Sequence, residues 1–150
     1  VRTTQEIHED CSPYPLPSDL EQQENMDQMH YHLKHILHGN YAAKINKPRA
    51  ILDVGTGSGA WLLEMATEFP DARCVGVDIS KIQPHDIIPP NCHFDTADVL
   101  QGLPYPSESF DYVHMRFMEM GVPAADWPHL LDELHRVCAP GGHIELVATD

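Results

Sequence analysis

Residues 50–69 constrain this chain more than any other stretch. Ala50-Ile51-Leu52-Asp53-Val54 is a short run, apolar but for its single acid, that leads directly into Gly55-Thr56-Gly57-Ser58-Gly59. Leu62, Met65, Ala66 and Phe69 then recur at i, i+3, i+4 and i+7, and Pro70-Asp71 stops the pattern. The reading is a buried strand, a tight glycine turn and a helix with one buried face. Glycines at 55, 57 and 59 let the backbone turn sharply and approach a ligand closely. The helix that follows aims free N–H groups at the loop, which suits an anionic group.

Strands and helices alternate through the rest of the chain. Cys74-Val75-Gly76-Val77-Asp78 reads as a second buried strand, residues 93–98 as a weaker third and 110–115 as a fourth. Trp127, Leu130, Leu131, Leu134, Val137 and Cys138 form a helical stripe; Pro140-Gly141-Gly142 then turns the chain into a fifth strand over 143–148. Alternation of this kind implies parallel pairing and right-handed crossovers. Continuous apolar runs imply strands covered on both faces. Upstream, Ser18 and Glu21 form a capping box for a helix in which Met26, Met29, Leu33, Ile36 and Leu37 keep helical spacing. Residues 1–17 are acidic and then proline-rich, which favours an extended leader. The chain thus divides into a leader (1–17), a helical segment (18–47) and an α/β domain (48–150).

At 150 residues, 42% hydrophobic and 21% charged, the chain is that of an ordinary globular protein with one core. Its formal net charge of -14 argues against direct binding to DNA or RNA, which needs a basic face. No apolar run reaches the roughly 18 residues that span a bilayer, and no charged-then-apolar leader opens the chain. The cysteines (Cys11, Cys74, Cys92, Cys138) have no CxxC spacing and read as free thiols in a reducing compartment, cytoplasm or nucleus. A first residue Val1 and an end at Asp150, directly after a strand, suggest a portion of a longer protein.

Asp78 ends the second strand 19 residues after Gly59, where a carboxylate can accept hydrogen bonds from both hydroxyls of a ribose. Gly55-x-Gly57-x-x-Ala60 also satisfies a dinucleotide fingerprint, so NAD is weighed against S-adenosylmethionine (SAM). A dinucleotide brings a doubly anionic pyrophosphate, which Asp53 would repel. SAM brings an ammonium that suits Asp53 and a carboxylate that suits the helix N-terminus.

The run Ile51-Leu52-Asp53-Val54-Gly55-Thr56-Gly57-Ser58-Gly59 resembles the first motif of the class I SAM-dependent methyltransferases. Val77-Asp78-Ile79-Ser80, Ala97-Asp98-Val99, Ser109-Phe110-Asp111-Tyr112-Val113 and the segment from Leu134 to Pro140-Gly141-Gly142 are similar to the later motifs, in order. The resemblance implies a three-layer Rossmann-like sandwich with parallel sheet order 3-2-1-4-5, with the family's strands six and seven absent from this chain. It implies a SAM site in which Asp53, Gly55, Thr56, Gly57 and Gly59 meet the methionine end. Asp78 would hold the ribose, Ile79, Asp98 and Val99 the adenine, and Met115 joins the cofactor contacts. Tyr14-Pro15-Leu16-Pro17-Ser18-Asp19, Glu24-Asn25-Met26-Asp27 and His30-Tyr31 resemble the leader of fungal methyltransferases related to the velvet-complex regulator of secondary metabolism. In that group an Arg often stands where Asn25 is here.

Methyl transfer from a sulfonium needs mainly in-line positioning, and a base only for a nucleophile of high pKa. His114 and Arg116, at the end of strand four, and Glu119 are the candidates near the donor. The acceptor is a small molecule or a protein. A competing reading is a catalytically inactive methyltransferase-like module that regulates by docking a partner protein, or self-associates, over its open sheet edge. An NAD-dependent oxidoreductase is the weaker alternative. His30, His32, His35 and His38 crowd one helix, but no carboxylate or cysteine completes a metal set, and no metal is expected. Met115, Met118 and Met120 read as core filler or pocket wall, Trp61 as packing, and Asp111 as either site residue or strand cap.

Overall fold

A computed structural model describes residues 20–149. The leader expected over 1–17, the Ser18 half of the capping box and Cys11 lie outside the described residues. Helix α1 (Leu20–Leu37) precedes β1 (Ala50–Val54), α2 (Ala60–Glu68), β2 (Arg73–Asp78), β3 (Cys92–Thr96), a 3-10 turn (Val99–Gln101), β4 (Phe110–Arg116), α3 (Trp127–Val137) and β5 (Cys138–Val147). The sheet runs β3-β2-β1-β4-β5 with every neighbouring pair parallel. This is the sheet that the alternation and the resemblance imply.

The two-residue period of a strand explains why β1 is apolar throughout. Ala50, Leu52 and Val54 point into one core, with Leu130, Leu134 and Val137 of α3. Ile51 points into the other, with Trp61, Leu62 and Met65 of α2. All five β1 residues are buried, Asp53 included. Full burial of each large apolar side chain stabilises by roughly 1.5–3 kcal/mol, so this strand anchors both layers and fixes the glycine loop at its end. Among the described cysteines, Cys74 and Cys92 pair across β2 and β3 as buried free thiols. Burial pushes them up to about 12 and about 11, so they are inert.

Three elements differ from the sequence expectation. Pro140-Gly141-Gly142 does not precede β5 but lies inside it. Phe110 pairs with Cys138 and Tyr112 with His143, so five steps of β5 face two of β4 and the extra residues bulge. Glycine is required there, because a Cβ on Gly142 would sit 2.7 Å from the Asp111 carbonyl. The third strand stops at Thr96, because Asp98 turns to cap the 3-10 turn, accepting from Leu100 N at 3.0 Å. In α1 the only fully buried residue is His30, while Ile36 is 70% exposed. That helix docks through polar contacts: Gln23 donates to the Ile82 carbonyl, the Ser58 hydroxyl to Asp27, and Lys34 to Glu64. Glu145 of β5 accepts from the amides of Ala42 and Ala43, tying down the connection to β1. Among the described residues, no helix is long and apolar enough to cross a membrane.

Candidate functional site

The loop after β1 is pinned to β2 by backbone bonds. Gly55 N and Thr56 N both donate to the Val77 carbonyl, at 2.8 and 3.1 Å. Gly55 and Gly57 take φ of 70° and 58°, the left-handed region that glycine enters without steric cost. The Asp78 carboxylate closes the loop, accepting from Gly57 N at 2.8 Å through one oxygen and from Ser80 N and Oγ through the other. The oxygen that accepts from Gly57 N retains a lone pair.

A cavity of about 350 Å³ opens at the carboxyl ends of β1, β2 and β4, under α1. Gly55, Thr56, Gly57, Asp78, Ile79, Asp98, Val99 and Arg116 all line it. The crevice outside the carboxyl ends of an open parallel sheet, where the strand order reverses, is where such folds bind ligands. Its far wall is methionine-rich: Met26 and Met29 from α1, Met118 and Met120 from the segment after β4. Met26 and Met118 lie against the glycines themselves. A Cβ on Gly57 would sit 3.1 Å from the Met26 sulfur, and one on Gly55 would collide with the Met118 thioether. A second depression of about 810 Å³ lies between α1 and α2. It is the larger of the two, but its acids are paired (Asp27 with Ser58, Glu64 with Lys34, Glu68 with Tyr41) and it holds none of the strand-end residues.

The structure separates residues that the sequence grouped. Asp53 is 3% exposed, and both of its oxygens have internal partners: Thr56 Oγ1 at 2.7 Å and His114 Nδ1 at 2.8 Å. It therefore braces the loop from behind, where a direct contact with a ligand ammonium was expected. His114 is 1% exposed and stacks on the Trp61 indole at 3.7 Å between centroids and 9° between planes. Shut behind the loop, it does not line the cavity as a base would. Met115 is buried in the core on the α3 side, because its neighbour Arg116 takes the cavity-facing side of β4. Gly59 is likewise outside the lining. It serves packing, since a Cβ there would sit 2.6 Å from the Phe94 ring. Glu119 lines the cavity, and its hydrogen bonds from Thr149 lower its pKa, which makes it a weak base. Asp111 caps the start of β1, accepting from the Arg49 amide.

One participant escaped the sequence reading. His30 inserts from α1 between the strand ends and α2. Arg116 Nη2 donates to its Nδ1 at 3.1 Å, and its Nε2 lies 3.2 Å from Glu64 Oε2 without hydrogen-bond geometry. Burial and the Arg116 charge hold its pKa below the ordinary value. The signal was present in the sequence: Met26, His30 and Leu33 follow i, i+4, i+7, so this is the one histidine of the four on the inward stripe. Among the described residues, no group of three or more His, Cys, Asp or Glu gathers as a metal site.

The chain is 37% identical over 136 residues to Methyltransferase pytC of Aspergillus terreus, covering 89% of this chain and 41% of that protein. It is 36% identical over 133 residues to Methyltransferase str3 of Strobilurus tenacellus, covering 87% and 47%. It is 30% identical over 145 residues to Secondary metabolism regulator laeA of Coprinopsis cinerea, covering 91% and 36%. The chain thus spans less than half the length of these curated relatives. Among solved structures, the complex between the Haloferax volcanii Trm112 methyltransferase activator and the putative methyltransferase matches with a TM-score of 0.64. That match has 24% identity and covers 86% of this chain and 57% of the other. Human N-acetylserotonin methyltransferase in complex with SAM matches at 0.60, with 19% identity over 87% of this chain and 41% of that one. The methyltransferase domain family matches residues 25–150, a span that takes in most of α1, the glycine loop and the whole sheet, so the chain belongs to the methyltransferase domain family.

Proposed function

We propose that this chain binds SAM in the cavity at the ends of β1, β2 and β4, and that the protein transfers its methyl group to an acceptor, a small molecule or a protein. The observation that carries this reading is the cavity lining. It brings Gly55, Gly57, Asp78, Ile79, Asp98 and Val99, drawn from three separate segments of sequence, to one crevice. The residues fit the cofactor. The left-handed glycines leave the loop without side chains where a ligand must approach. Asp78 keeps an acceptor site for a ribose hydroxyl, and Ile79 (43% exposed) with Val99 offers apolar faces for an adenine. Asp53 supports the site at one remove, by holding Thr56 and His114. The family membership sets the NAD-dependent oxidoreductase reading aside.

When bound, SAM supplies a methyl group already activated by its sulfonium. The chain's own contribution is to bind, orient and exclude water. Asp78 holds the donor, and the methionine wall gives an apolar, adaptable surface opposite. A second reading is a regulatory module that docks a partner protein. Two observations favour it: the likeness to a relative named a secondary metabolism regulator, and Ile144 and Leu146, 38% and 47% exposed on the outermost strand. Free thiols and an acidic chain fit the cytoplasm or nucleus for either reading.

Isothermal titration tests the cofactor reading. SAM and S-adenosylhomocysteine should bind at micromolar concentration and NAD should not. Asp78→Asn should weaken SAM roughly 10–100-fold, the value of hydrogen bonds to a charged acceptor. Absence of SAM binding in the wild-type chain would sink the proposal. Binding of SAM without turnover on any acceptor would favour the regulator.

A further inference from the structure

We propose that Arg116 is the carboxylate-binding residue of this cavity, with His30 as its positioning residue. The acid it takes belongs to the methyl acceptor or to the amino-acid end of SAM. This rests on the SAM reading above.

Arg116 is the one cation among the described residues that line the cavity, in a chain of net charge -14. It ends β4, one residue beyond Met115, which pairs with Val54 directly before the glycine loop. Its backbone therefore stands at the start of the glycine loop, and its side chain lines the cavity. No described carboxylate lies within ion-pair distance of it. Its hydrogen bond goes to a ring nitrogen, His30 Nδ1, and its other neighbour is the Phe117 ring, 5.9 Å from the guanidinium carbon.

A guanidinium that donates to Nδ1 requires that nitrogen to be unprotonated, so His30 is a neutral ring whose N–H is on Nε2, toward Glu64. Glu64 is in turn held by Lys34 at 2.6 Å. The set Arg116, His30, Glu64 and Lys34 carries one net positive charge. Lys34 of α1 compensates Glu64 of α2, so Arg116 is left without a described ion-pair partner. Much of the guanidinium is removed from water, which lowers its pKa; the charges of Asp53 and Glu64 oppose that shift. A partly desolvated cation with free N–H donors in an apolar wall favours a planar anion that can take two parallel hydrogen bonds. A carboxylate is that anion.

The test compares ligand pairs that differ only in the acid, using the full chain. SAM is paired with decarboxylated SAM. Benzoate is paired with benzamide, titrated with and without S-adenosylhomocysteine present. Arg116→Met should weaken one acid-bearing ligand by about 10–100-fold and not weaken its counterpart without the acid. A loss within the SAM pair assigns the acid to the donor; a loss within the benzoate pair assigns it to the acceptor. Arg116→Gln, which keeps an N–H donor for His30, gives the same readout if the Met variant does not fold. His30→Ala should produce the same acid-selective loss by a smaller factor. Equal affinities in variant and wild type, or an equal loss for both members of each pair, would overturn the proposal. If the wild type binds neither SAM nor S-adenosylhomocysteine, the cofactor reading fails, and the benzoate pair still decides the role of Arg116.

Discussion

Replacing Asp53 by alanine should unfold the site before it changes the chemistry. Among the described residues, the Asp53 carboxylate is the one hydrogen-bond partner of two inward-facing groups, Thr56 Oγ1 at 2.7 Å and His114 Nδ1 at 2.8 Å. Orphaning a buried polar group costs about 1–3 kcal/mol, so two amount to about 2–6 kcal/mol. Against a total stability of roughly 5–15 kcal/mol this is a large fraction. At about 2–4 °C per kcal/mol for a chain of this size, Tm should fall by roughly 5–20 °C. Asp53→Asn keeps an acceptor for Thr56, and its amide can donate to His114 once the ring changes tautomer, so a cost of about 1 kcal/mol is expected. The assay is thermal unfolding of wild type and both variants, with SAM titrated below each transition. SAM affinity should fall only as far as the folded loop is lost. An Asp53→Ala variant with unchanged Tm but greatly weakened SAM binding would refute the reasoning, because Asp53 would then be a ligand and not a brace.

Three further outcomes follow from other parts of the molecule. Gly59→Ala places a Cβ at φ 83° and 2.6 Å from the Phe94 ring, so it should lose more than the ~1–2 kcal/mol left-handed penalty. Gly39→Ala, with nothing within 4 Å of its Cβ, is the neutral control in the same denaturation series. For His30, burial and the Arg116 charge put the folded pKa below the unfolded 6.5, with Glu64 opposing and Lys34 adding to the effect. Its stabilisation is therefore complete above about pH 6.5 and lost as pH falls through the folded value. Tm should drop on acidification below 6.5, and His30→Asn should flatten that slope. The hydrogen bond from Arg136 holds Glu133 down to about 2, with Leu103 N adding to it. Its contribution is present above the ordinary value of 4.5 and disappears toward pH 2. The gap in Tm between wild type and Glu133→Gln should close over that interval.

How much was legible in the sequence depends on the range of the interaction. Apolar runs and i, i+3, i+4 stripes are local, so all five strands and the helices around them could be read directly. The bulge in β5 could not. Pro140-Gly141-Gly142 reads as a turn in isolation, and only the approach of the Asp111 carbonyl makes it a kink within a paired strand. That Asp78, Ile79, Asp98 and Val99 line one cavity was legible because each lies at or just beyond the end of a strand, and strand ends in a parallel sheet converge.

Asp53 and His114 show where reading by type stops. An acid beside glycines reads as a ligand, but it lies opposite His114 in the register of β1 and β4. Across adjacent strands two such side chains satisfy one another and turn away from solvent. His30 is the reverse case, a histidine among four that tertiary packing alone brings to Arg116. The sequence by itself determined a parallel α/β sheet with a glycine loop at its switch point, because hydrophobic periodicity and glycine conformation act over a few residues. Only the tertiary structure decided which polar groups face the cavity and which serve as its struts. A buried polar group must find its partner wherever the fold places one, and no local pattern records that distance.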